Sequence, residues 1–146
     1  MSKEQNTLKI FSNIELVIGI LNVAVAVLLF VGGGAALGNA PSIVEEGLAS
    51  AEDMSTFGNV AFGVGLASLA SGVVCFLNWH FLKKVAMDAT QYKGAWIVSI
   101  IGVILALIGL IMNITGQRSN FGSNIVSLLV NAFVVYLVYK VRSTVE

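Results

Sequence analysis

Apolar positions fall in four long runs separated by short polar stretches, and each run predicts a helix. The first covers residues 8–31 and stops at Gly32-Gly33-Gly34, a triplet of low helix propensity that predicts its end. The second covers residues 56–82, the third 94–114 and the fourth 121–139. At about 1.5 Å of rise per residue, each can cross a hydrocarbon core of about 30 Å. Lipid offers the backbone no hydrogen-bond partner, so such runs must be helices or strands of a closed barrel. They are too long and continuous for the alternating pattern of barrel strands. The expected fold is all-α: an integral membrane antiparallel four-helix bundle in which residues 1–146 form one domain.

The connections refine this picture. The longest is residues 32–55. There Ser42 and Glu45 stand at capping-box spacing after Pro41, and Ile43, Val44 and Leu48 follow helical spacing. This predicts a short external helix between spans one and two. The turn Gly116-Gln117-Arg118-Ser119-Asn120 is short enough to make spans three and four a tight antiparallel hairpin.

A finer pattern runs inside the spans. Ser99, Gly102, Ala106, Gly109 and Asn113 alternate at three and four residues, placing them on one helix face. Glu15, Gly19, Asn22 and Ala26 share that spacing in span one. In span two Asn59, Gly63, Ala67 and Ser71 stand four apart, and span four has Asn124, Ser127 and Asn131. Small residues let helix backbones approach, and asparagine or serine can hydrogen-bond across helices. These stripes are expected to be packing seams; the alternative is that some line a polar pathway.

Composition supports the membrane class. Apolar residues make up 57% of the chain and charged ones 11%, against about 25% charged in soluble domains. The net charge is zero, so nothing points to nucleic acid. The distribution of charge says more than its sum. Lys3, Lys9, Lys83, Lys84, Lys93, Lys140 and Arg142 fall on one side of the predicted spans, and only Arg118 on the other. Residues 32–55 carry Glu45, Glu46, Glu52 and Asp53 with no basic residue. The positive-inside rule puts both termini in the cytoplasm. Trp79, Tyr92, Trp96, Tyr136 and Tyr139 fall near the same face, as an interfacial aromatic belt does. The first apolar run exceeds a signal-peptide core of about 7–15 residues, and Pro41 after Gly38-Asn39-Ala40 makes a poor mature start, so the first span is expected to be retained.

Candidate chemistry is sparse. Glu15 is the one ionisable residue well inside a span, about 9 Å along the axis from Lys9. Intramembrane carboxylates are costly and often functional. Glu15 reads either as a carboxyl bonded to Ser12, Asn13 or a neighbouring helix, or as a proton site, with Asn22 one heptad along the same face. One cysteine, Cys75, can form neither an internal disulfide nor a cysteine cluster. His80 beside Trp79 reads as interfacial, and Lys83 and Lys84 as contacts for anionic headgroups. Asn113-Ile114-Thr115 matches a glycosylation sequon but lies at the membrane surface. There is no nucleophile motif, phosphate-binding loop, zinc signature or redox cysteine pair, so no cofactor and no catalytic residue is expected.

The segment Ala95-Trp96 through Gly102, continuing to Asn131-Ala132-Phe133-Val134-Val135-Tyr136-Leu137-Val138-Tyr139-Lys140-Val141-Arg142, resembles a loose class of uncharacterised prokaryotic four-span membrane proteins. In that class a helix opening with Ala-Trp precedes a last helix bearing an asparagine, then tyrosine–leucine, then a basic tail, often with a proline that this chain lacks. The likeness covers about a third of the chain and implies a four-span fold without a known activity. Small multidrug transporters also have four spans and a carboxylate in the first, which Glu15 resembles. This chain departs from them in its long first external loop, its strong charge bias and the residues around Asn13-Ile14-Glu15-Leu16-Val17. The expectation is a multi-pass protein of the cytoplasmic (plasma) membrane with a structural, accessory or regulatory role. Its expected partners are lipids and either copies of itself or another membrane protein. The alternative is a small proton-coupled transporter or channel using Glu15.

Overall fold

The computed structural model describes residues 2–45, 47, 50–115 and 121–146; the side chains of 40, 41, 43, 44, 109, 112–115, 121, 123 and 124 lie outside the description. Four helices follow in order: α1 (Lys3–Glu45), α2 (Ala51–Met87), α3 (Tyr92–Thr115) and α4 (Phe121–Arg142), with a single 3₁₀ turn at Ala89–Gln91 between α2 and α3. All four are long and apolar enough to cross a membrane.

The helix starts are capped by short polar side chains. Gln5 N–H donates to Ser2 Oγ at 3.2 Å, while Ser2 N–H donates to Gln5 Oε1 at 2.8 Å, a reciprocal capping box on α1. Asp53 N–H donates to Ser50 Oγ at 3.1 Å at the start of α2. Asp88 Oδ1 accepts from Thr90 N–H at 3.0 Å and so opens the 3₁₀ turn.

The expected break at Gly32-Gly33-Gly34 does not occur. Helix α1 continues through the triplet and through Pro41 for 43 residues in all. Each glycine costs a helix about 1 kcal/mol relative to alanine. Gly33, however, is buried with Ala61 Cβ only 3.0 Å from where its own Cβ would stand. A bulkier residue would push the helices apart there, so the glycine serves packing. The expected separate external helix is instead the last turns of α1. Ser42 does not cap a new start; its hydroxyl donates to the Asn39 carbonyl at 3.0 Å within α1. Ile43 and Val44 lie on α1, and Leu48 is outside the described residues.

The chain divides into two compact units, residues 1–15 with 77–146, and residues 16–76. In the second, α1 and α2 form an antiparallel pair built on two interleaved ladders. Val23, Phe30 and Leu37, seven apart on α1, sit over Gly72, Gly65 and Gly58, seven apart on α2. A Cβ added to those glycines would lie 3.0, 2.8 and 2.5 Å from the opposing side chain. In the other ladder the small α1 residues Gly19 and Gly33 meet Cys75 and Ala61, with Ala26 buried between them. Phe30 also packs on Phe62 with ring centroids 5.5 Å apart. Steps of seven on both helices are the geometry of a left-handed supercoil.

In the first unit all four helices contribute to one core. Leu8 of α1, Leu82, Val85 and Ala86 of α2, Ala95 of α3 and Val134, Leu137, Val138 and Val141 of α4 are buried together. Helices α3 and α4 run antiparallel, since Tyr92 and Trp96 meet Arg142 and Tyr139 while Gly102 meets Asn131. The α3–α4 connection, residues 116–120, lies outside the described residues.

Candidate functional site

Polar side chains inside apolar helices are where chemistry could reside, and two such pairs tie α1 to α2. Asn78 Nδ2 donates to Glu15 Oε1 at 3.4 Å, with Glu15 half-buried. Asn22 Nδ2 donates to Ser71 Oγ at 3.4 Å. Glu15 and Asn22 are seven apart on α1, and Asn78 and Ser71 seven apart on α2. The Glu15 carboxylate is therefore anchored to a neighbouring helix, one of the arrangements its sequence position suggested. Asn78 was not anticipated. The signal for it lay in the shared step of seven: once Asn22 is opposite Ser71, Glu15 must fall opposite position 78.

The expected seams are placed unevenly. Gly19 is buried against Cys75 and Phe76, and Ser99 is buried. Gly102 and Ala106 are half-buried, and a Cβ on Gly102 would lie 2.5 Å from Asn131 Oδ1. Asn131 in turn donates from Nδ2 to the Ser127 carbonyl at 2.8 Å. The side chains of Gly109, Asn113 and Asn124 lie outside the described residues. Span two differs from expectation. Asn59, Gly63 and Ala67 are exposed, and an added Cβ at Gly63 would meet nothing within 4 Å. The face of α2 turned to α1 instead carries Gly58, Ala61, Gly65, Gly72 and Cys75. A four-residue step turns 400°, so a stripe built on it drifts by about 40° per step and cannot stay on one contact line; its last member, Ser71, is the one that comes round to Asn22 of α1. Steps alternating three and four stay on one line.

The second polar feature is a basic and aromatic cluster in the first unit. Lys83 Nζ lies 5.2 Å from the Trp79 ring. The Arg142 guanidinium lies 5.6 Å from the Tyr92 ring and 5.9 Å from that of Trp96. Arg142 Nε also donates to Glu146 Oε2 at 3.0 Å, and Tyr92 Oη donates to Glu146 Oε1 at 2.8 Å. Those two donors, Arg142 first, hold the Glu146 carboxyl below the ordinary carboxylate range. The hydroxyl and backbone of Thr90 do the same for Asp88. His80 is exposed, with ring contacts to Trp79 and Phe81. Trp79 Nε1 is buried without a hydrogen-bond partner.

A shallow cleft of about 210 Å³ opens between α1 and α4, lined by Lys3, Glu4, Thr7, Phe133, Tyr136 and Leu137. Lys140 extends over the Tyr136 ring at 5.9 Å. Among the described residues, no three His, Cys, Asp or Glu side chains gather as a metal site would require. The arrangement offers interhelical ties, a fixed carboxylate and a basic, aromatic end. Comparison with models of known families, with curated proteins and with solved structures finds no match to this chain.

Proposed function

We propose that this chain is a non-enzymatic multi-pass protein of the cytoplasmic membrane, with a structural or accessory role as part of an oligomer or a larger membrane complex. One observation carries the reading: only 11–22% of each helix's apolar window is buried within the chain. Leu28, Val31, Leu66, Ile97 and Leu129 stand exposed on four different helices. Soluble proteins rarely leave such surface uncovered, whereas lipid and partner helices cover it without cost. The basic residues of the first unit lie in the cytoplasm in this reading, and the four spans pack as a bundle. Helix α3, at 24 residues, matches a hydrocarbon core of about 30 Å. Helix α1, at 43 residues, runs to about 65 Å, so its acidic end and that of α2 stand outside the bilayer.

Purification in mild detergent, with mass measurement of the particle and identification of co-purifying proteins, tests the role. A stoichiometric partner or a discrete homo-oligomer is expected; a monodisperse monomer with no companion refutes it. The half-buried Glu15 carboxylate, fixed by Asn78, favours a second reading, a proton-coupled transporter. That reading requires Glu15→Gln to abolish pH-dependent substrate binding while the fold is kept. Unchanged pH dependence rejects it.

A further inference from the structure

We infer that the cleft between the first turns of α1 and the C-terminal half of α4 binds one anionic phospholipid, its phosphate between Lys3 and Lys140 and an acyl segment along Phe133 and Leu137. The inference rests on the membrane reading above and names a specific ligand within it. The cleft is ordered as a lipid is. Lys140 and Phe133 are seven residues apart on α4, about 10 Å along the axis, so charge lies at one end and apolar surface at the other.

The walls are held in place. The Phe133 and Tyr136 rings stack at 6.5 Å with planes 25° apart, and Phe11 of α1 packs on Phe133 at 5.9 Å. Leu137 is buried beneath them. The Tyr136 ring, which lines the cleft, attracts the Lys140 ammonium from 5.9 Å. Glu4 also lines the cleft, within the field of both Lys3 and Lys140. It offsets one of the two positive charges, leaving a net single positive charge for a single phosphodiester. Its carboxylate can also accept from a headgroup hydroxyl, which favours a glycerol headgroup over choline. Thr7 Oγ1 donates to the Lys3 carbonyl at 3.0 Å, steadying the backbone that carries Lys3.

The full chain in detergent, mixed with phosphatidylglycerol and phosphatidylcholine of matched acyl length, is examined by native mass spectrometry. One phosphatidylglycerol should be retained in preference, and Lys3→Gln with Lys140→Gln should reduce that retention by about thirtyfold. Lys9→Gln with Lys93→Gln removes the same charge at positions that do not line the cleft and should leave it unchanged. Equal loss in both double variants, or equal retention of the two lipids, overturns the site. Displacement of the lipid by inorganic phosphate alone also overturns it, because the cleft would then be an ion site. Failure of the chain to incorporate into lipid nanodiscs refutes the membrane reading instead. Circular dichroism of each variant checks that the helices are intact.

Discussion

Replacing Gly72 and Gly63 by alanine separates the packing seam of α2 from its helix propensity. Both glycines lie inside the same helix, so each alanine gains up to about 1 kcal/mol of propensity. Only their surroundings differ. A Cβ at Gly72 would lie 3.0 Å from Val23 Cγ2 and 3.2 Å from the Gly19 carbonyl oxygen; at Gly63 it would meet nothing within 4 Å. The Gly19 contact is with backbone, which cannot rotate away, so α1 and α2 must part. Overpacking of this kind costs about 1–3 kcal/mol. The two variants should therefore differ by roughly that amount, or about 5- to 150-fold in the opening equilibrium of the pair. The chain carries its own probe: Cys75 is buried, and its Cβ lies 3.3 Å from where a Cβ on Gly19 would stand. In detergent, the rate at which a small neutral disulfide reagent modifies Cys75 reports opening of the pair. Gly72→Ala should raise the rate and Gly63→Ala should leave it at or below that of the parent. Equal rates for the two variants would show that α1 and α2 do not meet along this line.

Other expectations follow from the same contacts. Gly102→Leu should destabilise the α3–α4 pair by about 1–3 kcal/mol relative to Val103→Leu, because it displaces the Asn131 amide; equal denaturation midpoints would contradict this. In a Cys75→Ala background, Ser50→Cys should react with an impermeant maleimide on intact cells and Lys84→Cys should not; the reverse pattern inverts the topology. The Glu146 carboxyl is lowered in the folded chain by Arg142 and Tyr92. Its tie to α3 is thus fully present above the ordinary carboxylate pKa and is lost as pH falls through the lowered value. Trp96 fluorescence should follow that loss in acid, and Glu146→Gln should remove the step; a step that persists in the variant assigns it to another group.

The four helices were legible because apolar runs of this length have few other readings. Their detail was legible only where the repeat was read correctly. The stripe through Ser99, Gly102 and Ala106 alternates four and three, and those residues are buried or half-buried. The stripe through Asn59, Gly63, Ala67 and Ser71 keeps a constant four, so it winds around α2, and of the four it is Ser71 that meets α1. The glycine triplet misled for a related reason. Propensity measured in water counts Gly33 as a break, but a helix already held along its length against a neighbour uses the missing side chain as room for Ala61. The Glu15–Asn78 tie needed the register of two helices, which neither run reveals alone. The Ser2–Gln5 capping box carries the Ser-x-x-Gln pattern, which the apolar run starting at residue 8 passed over, and it marks the start of α1.

The seating of Val23, Phe30 and Leu37 over Gly72, Gly65 and Gly58 limits how these helices can change length. Deleting one residue between Gly65 and Gly72 rotates everything beyond it by about 100° and shifts it by about 1.5 Å. Every later bulky side chain then faces a residue with no room for it. Removing seven residues costs only about 20° of rotation and brings the next glycine under the next knob. The hairpin can therefore lengthen or shorten across evolutionary time only in whole heptads, and only when both helices change together. Single insertions and deletions belong in its connections, and a shortened descendant should have lost matched sevens from α1 and α2.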